Sequence, residues 1–354
     1  MARESAIGLD IGSSSVRAVE LSFGRSGVTV ERFGQVALAQ GAVVDGEVVD
    51  PESVATAIRL LWNQVKFSSK RVVLGVANQR VIVRQVDLPW LPEAELRASL
   101  KHLVSDLVPM PVDEAVLDFV PIEDFVEGDG GRFVRGLLVA AAEEMVLASI
   151  EAVSRAGLTA TSVDLAPFAI LRSLVHRSDL GLVAGPEAIV DVGARITNIV
   201  VHEDGVPRFV RILLMGGQDV TDALKVHADL DMVAAEDAKR RVGLGGTGSL
   251  DDAQLTRVMM PAAAALVDEI RGSLDYYLAT AGSRDALSRV VVTGGGMQLD
   301  GLVDRLAAAV RAPVVRGSAL EGLKFGRTGL TPEQLEFVAP LVSLPVGLAL
   351  GMAS

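Results

Sequence analysis

The chain has 354 residues, half of them apolar and 22% charged, with a formal net charge of −12. That length predicts two lobes, and the composition is that of a globular chain. The acidic balance excludes a nucleic-acid backbone surface, which needs clustered Lys and Arg; the lack of cysteine excludes disulfide scaffolds, thiolate zinc sites and cysteine nucleophiles.

In chain order, Glu4 and Asp10 interrupt any apolar leader, so no signal peptide is expected. Apolar runs at 6–11, 16–22 and 28–37 read as strands, and the turns at 12–15 and 24–27 join them into a meander. Asp50 then caps a helix with Pro51 in its first turn; Val54, Ile58, Leu61 and Val65 give it one apolar face. A buried strand follows at 72–77.

The block 81–161 reads as a β-α-β-β-α subdomain inserted in the first lobe. It has strands at 81–87, 115–122 and 133–141, and helices at 92–108 and 143–156, the second ended by Gly157. Its acidic, Gly-rich 127–131 stretch is an exposed hairpin loop. A second meander at 188–192, 196–203 and 206–213 repeats the opening theme, followed by helical patterns over 219–242 and 252–280. A strand at 290–293 enters a glycine turn, and a helix spans 301–310. A strand ending in Asp, a Gly turn and a second strand occur in both halves, which points to internal duplication. The longest apolar stretch, 341–353, is shorter than a membrane span and carries Pro345. The expected division is a first-lobe core of 1–80 and 162–186, rejoined by 341–354, with the insert at 81–161. The second lobe has its core at 187–213 and 286–340 and a helical subdomain at 214–285.

Four motifs carry candidate chemistry. In the first, Asp10 ends a strand, Gly12, Ser13, Ser14 and Ser15 form a small-residue turn, and Arg17 follows on the next strand. Backbone N–H groups and hydroxyls in such a turn suit phosphate oxygens, Asp10 suits Mg²⁺ held through water, and Arg17 suits a phosphate. Alone, the segment reads better as an ordinary Gly-Ser hairpin. Asp191, Gly193 and Thr197 repeat the layout in the second lobe, with Asp191 a second water-mediated Mg²⁺ carboxylate. Two such turns, one per lobe, would clamp a nucleotide's phosphates from both sides. Gly294, Gly295, Gly296 and Met297 follow a strand, where glycines allow close approach to a ligand. This is not a Walker loop, since no Gly-Lys-Ser/Thr occurs. Glu236, Lys239 and Arg240 share one helix face, which by itself reads first as a solvated face with a local ion pair and second as a ribose and purine site. The histidines His102, His176, His202 and His227 show no metal-ligand spacing. Trp90, between Pro89 and Pro92, packs the insert onto its lobe or anchors an interface.

The order of these motifs resembles the actin/sugar-kinase/heat-shock ATPase superfamily over nearly the whole chain. The stretches from Gly8, Val163 and Ile189, and above all LVDEIRGSLDYYL from Leu266, are similar to the PilM family of type IV pilus assembly. The resemblance implies an α/β, actin-like (ribonuclease H-like) two-lobed fold, with connecting helices at 165–175 and 341–351. It implies ATP and Mg²⁺ as ligands, with the first two motifs as phosphate loops, the polar helix as ribose and adenine contacts, and the triple glycine as the adenosine loop. Hydrolysing relatives carry Glu-Pro where this chain has Ala166-Pro167, so weak or absent hydrolysis is expected, with Asp164 a substitute catalytic candidate or a helix cap. The implied partner is the cytoplasmic N-terminal peptide of PilN and, through it, the PilN/PilO inner-membrane complex, with pilus motor components beyond. Its groove is expected near 81–108 and 137–141. The implied location is cytoplasmic, peripheral at the inner face of the cytoplasmic membrane through that partner. The alternatives are an FtsA-like filament-forming division protein, which would want a C-terminal amphipathic helix, and a small-molecule kinase.

Overall fold

Two sheets built on one plan carry the fold. The computed structural model describes residues 4–25, 27–128, 130–175, 185–246, 248–280, 286–326 and 328–352. His176, with the rest of 176–184 in the 162–186 segment, and position 129 of the 127–131 loop lie outside the described residues.

The chain opens with β1 (Glu4–Ile11), β2 (Ser15–Gly24) and β3 (Gly27–Ala37), then a small hairpin of β4 (Val43–Val44) and β5 (Glu47–Val48). Helix α1 (Pro51–Val65) starts as the sequence predicts: Asp50 accepts from the backbone N–H groups of Glu52 and Ser53, and Pro51 occupies the first turn. Strands β6 (Arg71–Val76) and β7 (Val81–Pro89), α2 (Glu93–Val104), β8 (Ala115–Val126), β9 (Arg132–Ala142), α3 (Glu143–Arg155), β10 (Thr159–Leu165) and α4 (Ala166–Leu174) follow. The second half runs β11 (Glu187–Val192), β12 (Thr197–Glu203), β13 (Val206–Leu213), α5 (Gly217–His227), α6 (Met232–Val242) and α7 (Leu250–Thr280). It closes with β14 (Arg289–Thr293), α8 (Leu302–Ala309), β15 (Val314–Arg316), β16 (Lys324–Phe325), α9 (Pro332–Val338) and α10 (Ser343–Leu350).

The first sheet has the order β10-β6-β1-β2-β3-β16 and the second β13-β12-β11-β14-β15. In each, an antiparallel meander continues into two parallel strands, β1 with β6 and β10, β11 with β14 and β15. The duplication read from the sequence is therefore a duplication of topology. The core strands read as continuous apolar runs because helices cover both faces of each sheet. On the first sheet, Val54, Ile58 and Leu61 of α1 cover one face. On the other, α4 packs against α10, which is apolar all round and buried accordingly. Among the described residues no single helix is long and apolar enough to cross a membrane.

Three readings change. The helical pattern at 219–242 is two helices: Asp229 takes φ +54° and Asp231 caps α6 by accepting from Ala234 N at 2.8 Å. Strand β10 was not expected, because its half-buried TATSVDL lacks an apolar run. The insert forms its own sheet, β7-β9-β8, with Leu96, Leu100 and Val104 of α2 packed on Val86, Leu88, Val134 and Leu138. Helix α3, predicted as its last element, packs on both the insert and α1: Met145 and Val146 lie with Val81, Leu137 and Val139, while Ala152 and Val153 enter the cluster of Val54, Ala57 and Ile58. The insert also touches the second lobe, because β13 lies beside β7.

Candidate functional site

Two matched turns face each other between the sheets. Leaving β1, Gly12 N donates to Ser15 O at 3.0 Å; leaving β11, Gly193 N donates to Ile196 O at 2.8 Å. The same closure sets a carboxylate at the same place in each lobe. Asp10 lies opposite Arg17 on β2, and Asp191 opposite Asn198 on β12. Arg17 Nη1 donates to Asp10 Oδ2 at 3.3 Å, and Asn198 Nδ2 to Asp191 Oδ2 at 3.2 Å.

The cleft between them is narrow, with a volume of about 90 Å³. Of the residues named from sequence, Asp10, Gly12, Ser13, Ser14, Arg17, Asp191, Gly193, Gly294 and Gly295 line it. Burial pushes the Asp10 carboxyl up, against the pull of Arg17. Burial pushes Asp191 up to about 6; the charge of Asp10 adds to this, while the Asn198 hydrogen bond and Arg17 oppose it. Two buried carboxylates thus share one arginine, an arrangement that a divalent cation would neutralise. Asn198 Oδ1 is buried here without a hydrogen-bond partner among the described residues. Both observations fit Mg²⁺, which keeps several waters and takes few protein carboxylates. No three potential metal-ligating side chains converge among the described residues, so a cation would keep most of its water shell.

The triple glycine closes the inner end. Gly294 has φ +91°, and a Cβ there would sit 2.4 Å from Val192 O and 2.7 Å from Asp191 Oδ1. The polar helix stands beside it. Lys239 Nζ donates to Gly217 O at 3.1 Å and to Thr221 Oγ1 at 2.8 Å, and lies 2.7 Å from Glu236 Oε2. Its donors are spent on holding α6 to the start of α5. Burial pushes the Glu236 carboxyl up, but Lys239, Thr221 and Arg240 outweigh it and hold the carboxyl low. Arg240 reaches Glu236 Oε1 at 2.9 Å with most of its side chain in solvent.

Several named residues stand elsewhere. Ser15 is buried under its turn, and Met297 is in the second-lobe core. Gly296 packs on Val192 rather than lining the cleft. Thr197 is fully buried and donates to Met215 O at 2.7 Å, because strand alternation aims Asn198 at the cleft and its neighbour away. Asp164 lies outside the cleft, accepting from Arg172 at 2.9 Å, while Leu165 occupies the cap position of α4; Asp164 is therefore not placed to act on cleft contents and does not cap the helix. Trp90 stays within the insert, under the Arg132 guanidinium at 3.8 Å. Sequence reading missed Asn198 and the Gly216–Gly217 pair. A Cβ on Gly217 would lie 3.3 Å from Gly296 Cα and 3.7 Å from Gly193 O, so this glycine joins the second turn, the triple glycine and the polar helix. A glycine pair between a strand and a helix was the available signal.

Two like-built lobes, opposed turns and a pair of crossing helices define an actin-like chain. Solved structures share the fold. A PilM-PilN type IV pilus biogenesis complex matches with TM-score 0.86 and 27% identity over 100% of both chains. Ethanolamine utilization protein EutJ from Carboxydothermus hydrogenoformans matches at 0.55 with 16% identity, covering 99% of this chain and 91% of that one. MreB5 of Spiroplasma citri bound to ADP matches at 0.50 with 14% identity, covering 97% and 94%. The family described as type IV pilus assembly protein PilM matches residues 8–353, and the chain belongs to that family. Cell division protein FtsA of Bacillus subtilis is 20% identical over 67% of this chain and 58% of its own length. FtsA of Streptococcus pneumoniae is 26% identical over 69% of this chain and 57% of its own. The chain thus spans less than two thirds of these curated relatives.

Proposed function

We propose that this chain binds Mg-ATP in the interlobe cleft and the cytoplasmic N-terminal peptide of PilN beside the insert. It would thereby serve as a cytoplasmic scaffold, linked through PilN and PilO to the inner-membrane platform and through it to the pilus motor. The observation that carries the nucleotide half is the pair of buried aspartates, Asp10 and Asp191, on matched turns. In this reading they hold Mg²⁺ through water, and Gly12–Ser14 and Gly193 offer N–H groups and hydroxyls to the phosphates. Glu236 and Arg240 face the ribose and base, and Lys239 positions the Gly217 turn. A neighbouring fold, MreB5, is described as bound to ADP. Hydrolysis would be weak or absent, because Ala166 lines the cleft where a water-orienting carboxylate would be needed.

For the peptide, support comes from the similar PilM-PilN complex and from a groove where the insert meets α3. Met110 and Leu147 give it apolar surface, and Glu114, Glu143, Glu144 and Glu151 an acidic rim, which suits an extended peptide carrying a basic residue. None of its lining falls within 81–108 or 137–141, where the sequence placed it.

Titration calorimetry with Mg-ATP, and with a synthetic PilN N-terminal peptide, tests both halves. Both ligands are expected to bind. Asp10→Ala or Asp191→Ala is expected to weaken Mg-nucleotide binding by about tenfold or more while unfolding stays cooperative, as for lost supporting groups at a metal site. Unchanged affinity in both variants would overturn the cleft assignment. The FtsA relatives make a filament the rival reading, which ATP-dependent sedimentation of polymers would favour.

A further inference from the structure

The second turn is mounted on the start of α5. Gly217 N donates to Gly193 O at 3.0 Å and Gln218 N to Ala194 O at 2.7 Å, so amides at the open end of the helix are spent on two carbonyls of the turn. A Cβ on Gly216 would lie 2.5 Å from Gly193 O and 2.6 Å from Ala194 O, so the approach is backbone to backbone. Arg195 ties the same two pieces through its side chain. Gly193, Ala194 and Ile196 line the cleft, but the Arg195 guanidinium turns to α5. There Nη1 donates to Asp219 Oδ1 at 3.1 Å and Nη2 to Asp222 Oδ2. The other oxygen of Asp219 accepts from Gly216 N at 2.7 Å. Asp222 Oδ1 accepts from Gln218 Nε2 at 3.4 Å and lies 3.6 Å from Lys225 Nζ. Among the described residues none of α5 lines the cleft, so carbonyls drawn toward α5 are drawn away from a ligand.

We propose that Arg195 is a positioning residue for the phosphates. By pairing with Asp219 and Asp222 it holds the second turn with its carbonyls toward α5 and leaves the N–H side of the turn to the ligand. This rests on the nucleotide half of the function proposed above. A carbonyl oxygen carries partial negative charge and repels a phosphate, whereas successive backbone N–H groups form an anion-binding concavity. Gly193 has no Cβ to restrain its peptides, so the orientation of the turn needs an outside hold. A guanidinium engaged by two carboxylates supplies one, because its planar fork fixes direction as well as distance. Arg195 therefore acts through the turn and does not itself meet the phosphates. The two roles differ in sign. An Arg195 that bound phosphate directly would be released by the loss of a carboxylate, whereas one that positions the turn needs both.

The test measures Mg-ATP affinity by calorimetry, and the ligand-free unfolding midpoint, in the full chain and in Arg195→Ala, Arg195→Lys and Asp222→Asn. Arg195→Ala is expected to weaken Mg-ATP about tenfold, as for lost supporting groups at a binding site. Its midpoint should stay near that of the original, since ion pairs about one-third exposed contribute little stability. Arg195→Lys, with one ammonium in place of the fork, should recover part of the affinity. Asp222→Asn should also weaken Mg-ATP, although it removes a negative charge beside the phosphate turn. The double variant Arg195→Ala with Asp222→Asn should lose no more than Arg195→Ala alone. If Arg195→Ala unfolds, Asp222→Asn and Arg195→Lys decide by the same signs. Tighter binding in Asp222→Asn, unchanged affinity in Arg195→Ala, or a loss matched by a fall in midpoint overturns the positioning role and leaves the function standing. Failure of Mg-ATP to bind the original overturns the nucleotide half of the function and this role with it.

Discussion

Asp191→Asn is expected to make the ligand-free protein more stable at pH 7.5 while reducing its response to Mg-ATP. Burial and the neighbouring Asp10 push the Asp191 carboxyl up to about 6, from an ordinary 3.8. Between those values the folded state holds more protons than the unfolded chain, so stability falls as pH rises through that window and then levels off. At pH 7.5 the ionised Asp191 costs about 3 kcal/mol relative to a group with its ordinary pKa, as an upper figure. Asparagine keeps the shape and the Asn198 hydrogen bond without the charge. Its advantage should therefore be absent near pH 4, grow through pH 6 and reach several degrees in unfolding midpoint above it. Mg-ATP should narrow that advantage, since a ligand at a hundred times the original's Kd stabilises the original by about 2.7 kcal/mol and a variant that binds it tenfold more weakly by about 1.4 kcal/mol. Thermal unfolding at pH 5 and 7.5, with and without Mg-ATP, reads all four arms. A variant less stable than the original at pH 7.5 without ligand would show that the carboxylate is well satisfied as it stands.

Gly347→Ala is expected to cost about 3 kcal/mol or more, beyond the usual range for one added methyl. Helix α10 crosses α4 so closely that a Cβ on Gly347 would lie 1.7 Å from Ala169 O. A Cβ on Gly8 of β1 would lie 2.0 Å from Pro345 O on the other side of the same helix. Both contacts are with backbone, which has no rotamer to yield. Gly272 gives the opposite sign from the same substitution. It is exposed in the middle of α7 with nothing within 4 Å, so alanine there should stabilise by up to about 1 kcal/mol through helix propensity. Denaturant midpoints of the two variants check the pair. Because Leu344 of α10 lines the cleft, Gly347→Ala should also weaken nucleotide binding. A loss below about 1 kcal/mol, within the ordinary spread of tolerated core changes, would mean that the helices can move apart.

What could be read from sequence follows what is local. The meander strands and α1 were legible within a few residues, because buried strands spell continuous apolar runs and Asp50-Pro51 marks a helix start chemically. The two aspartate turns were legible because glycine and serine must supply their tight geometry. Where tertiary partners decide, sequence said less. Two-residue β16 exists only because β3 offers it an edge. Gly216 and Gly217 look like any glycine pair until the second turn and the triple glycine are brought onto them. Thr197 against Asn198 is a different case, since the choice depends on the pairing register of β11 with β12, which sets Asn198 opposite Asp191.

The first sheet has a consequence for how the protein is made. Its strand β1 is covered by α10, whose Val346, Leu348 and Ala349 are fully buried, and its edge is extended by β16. Both come from the far end of the chain. During synthesis the N-terminal lobe therefore cannot close as an independent unit, unlike domains that fold one after another as they emerge. Until residues 343–350 have left the ribosome, the apolar surface of β1 and α4 stays uncovered, and a chaperone that shields apolar segments would find it there.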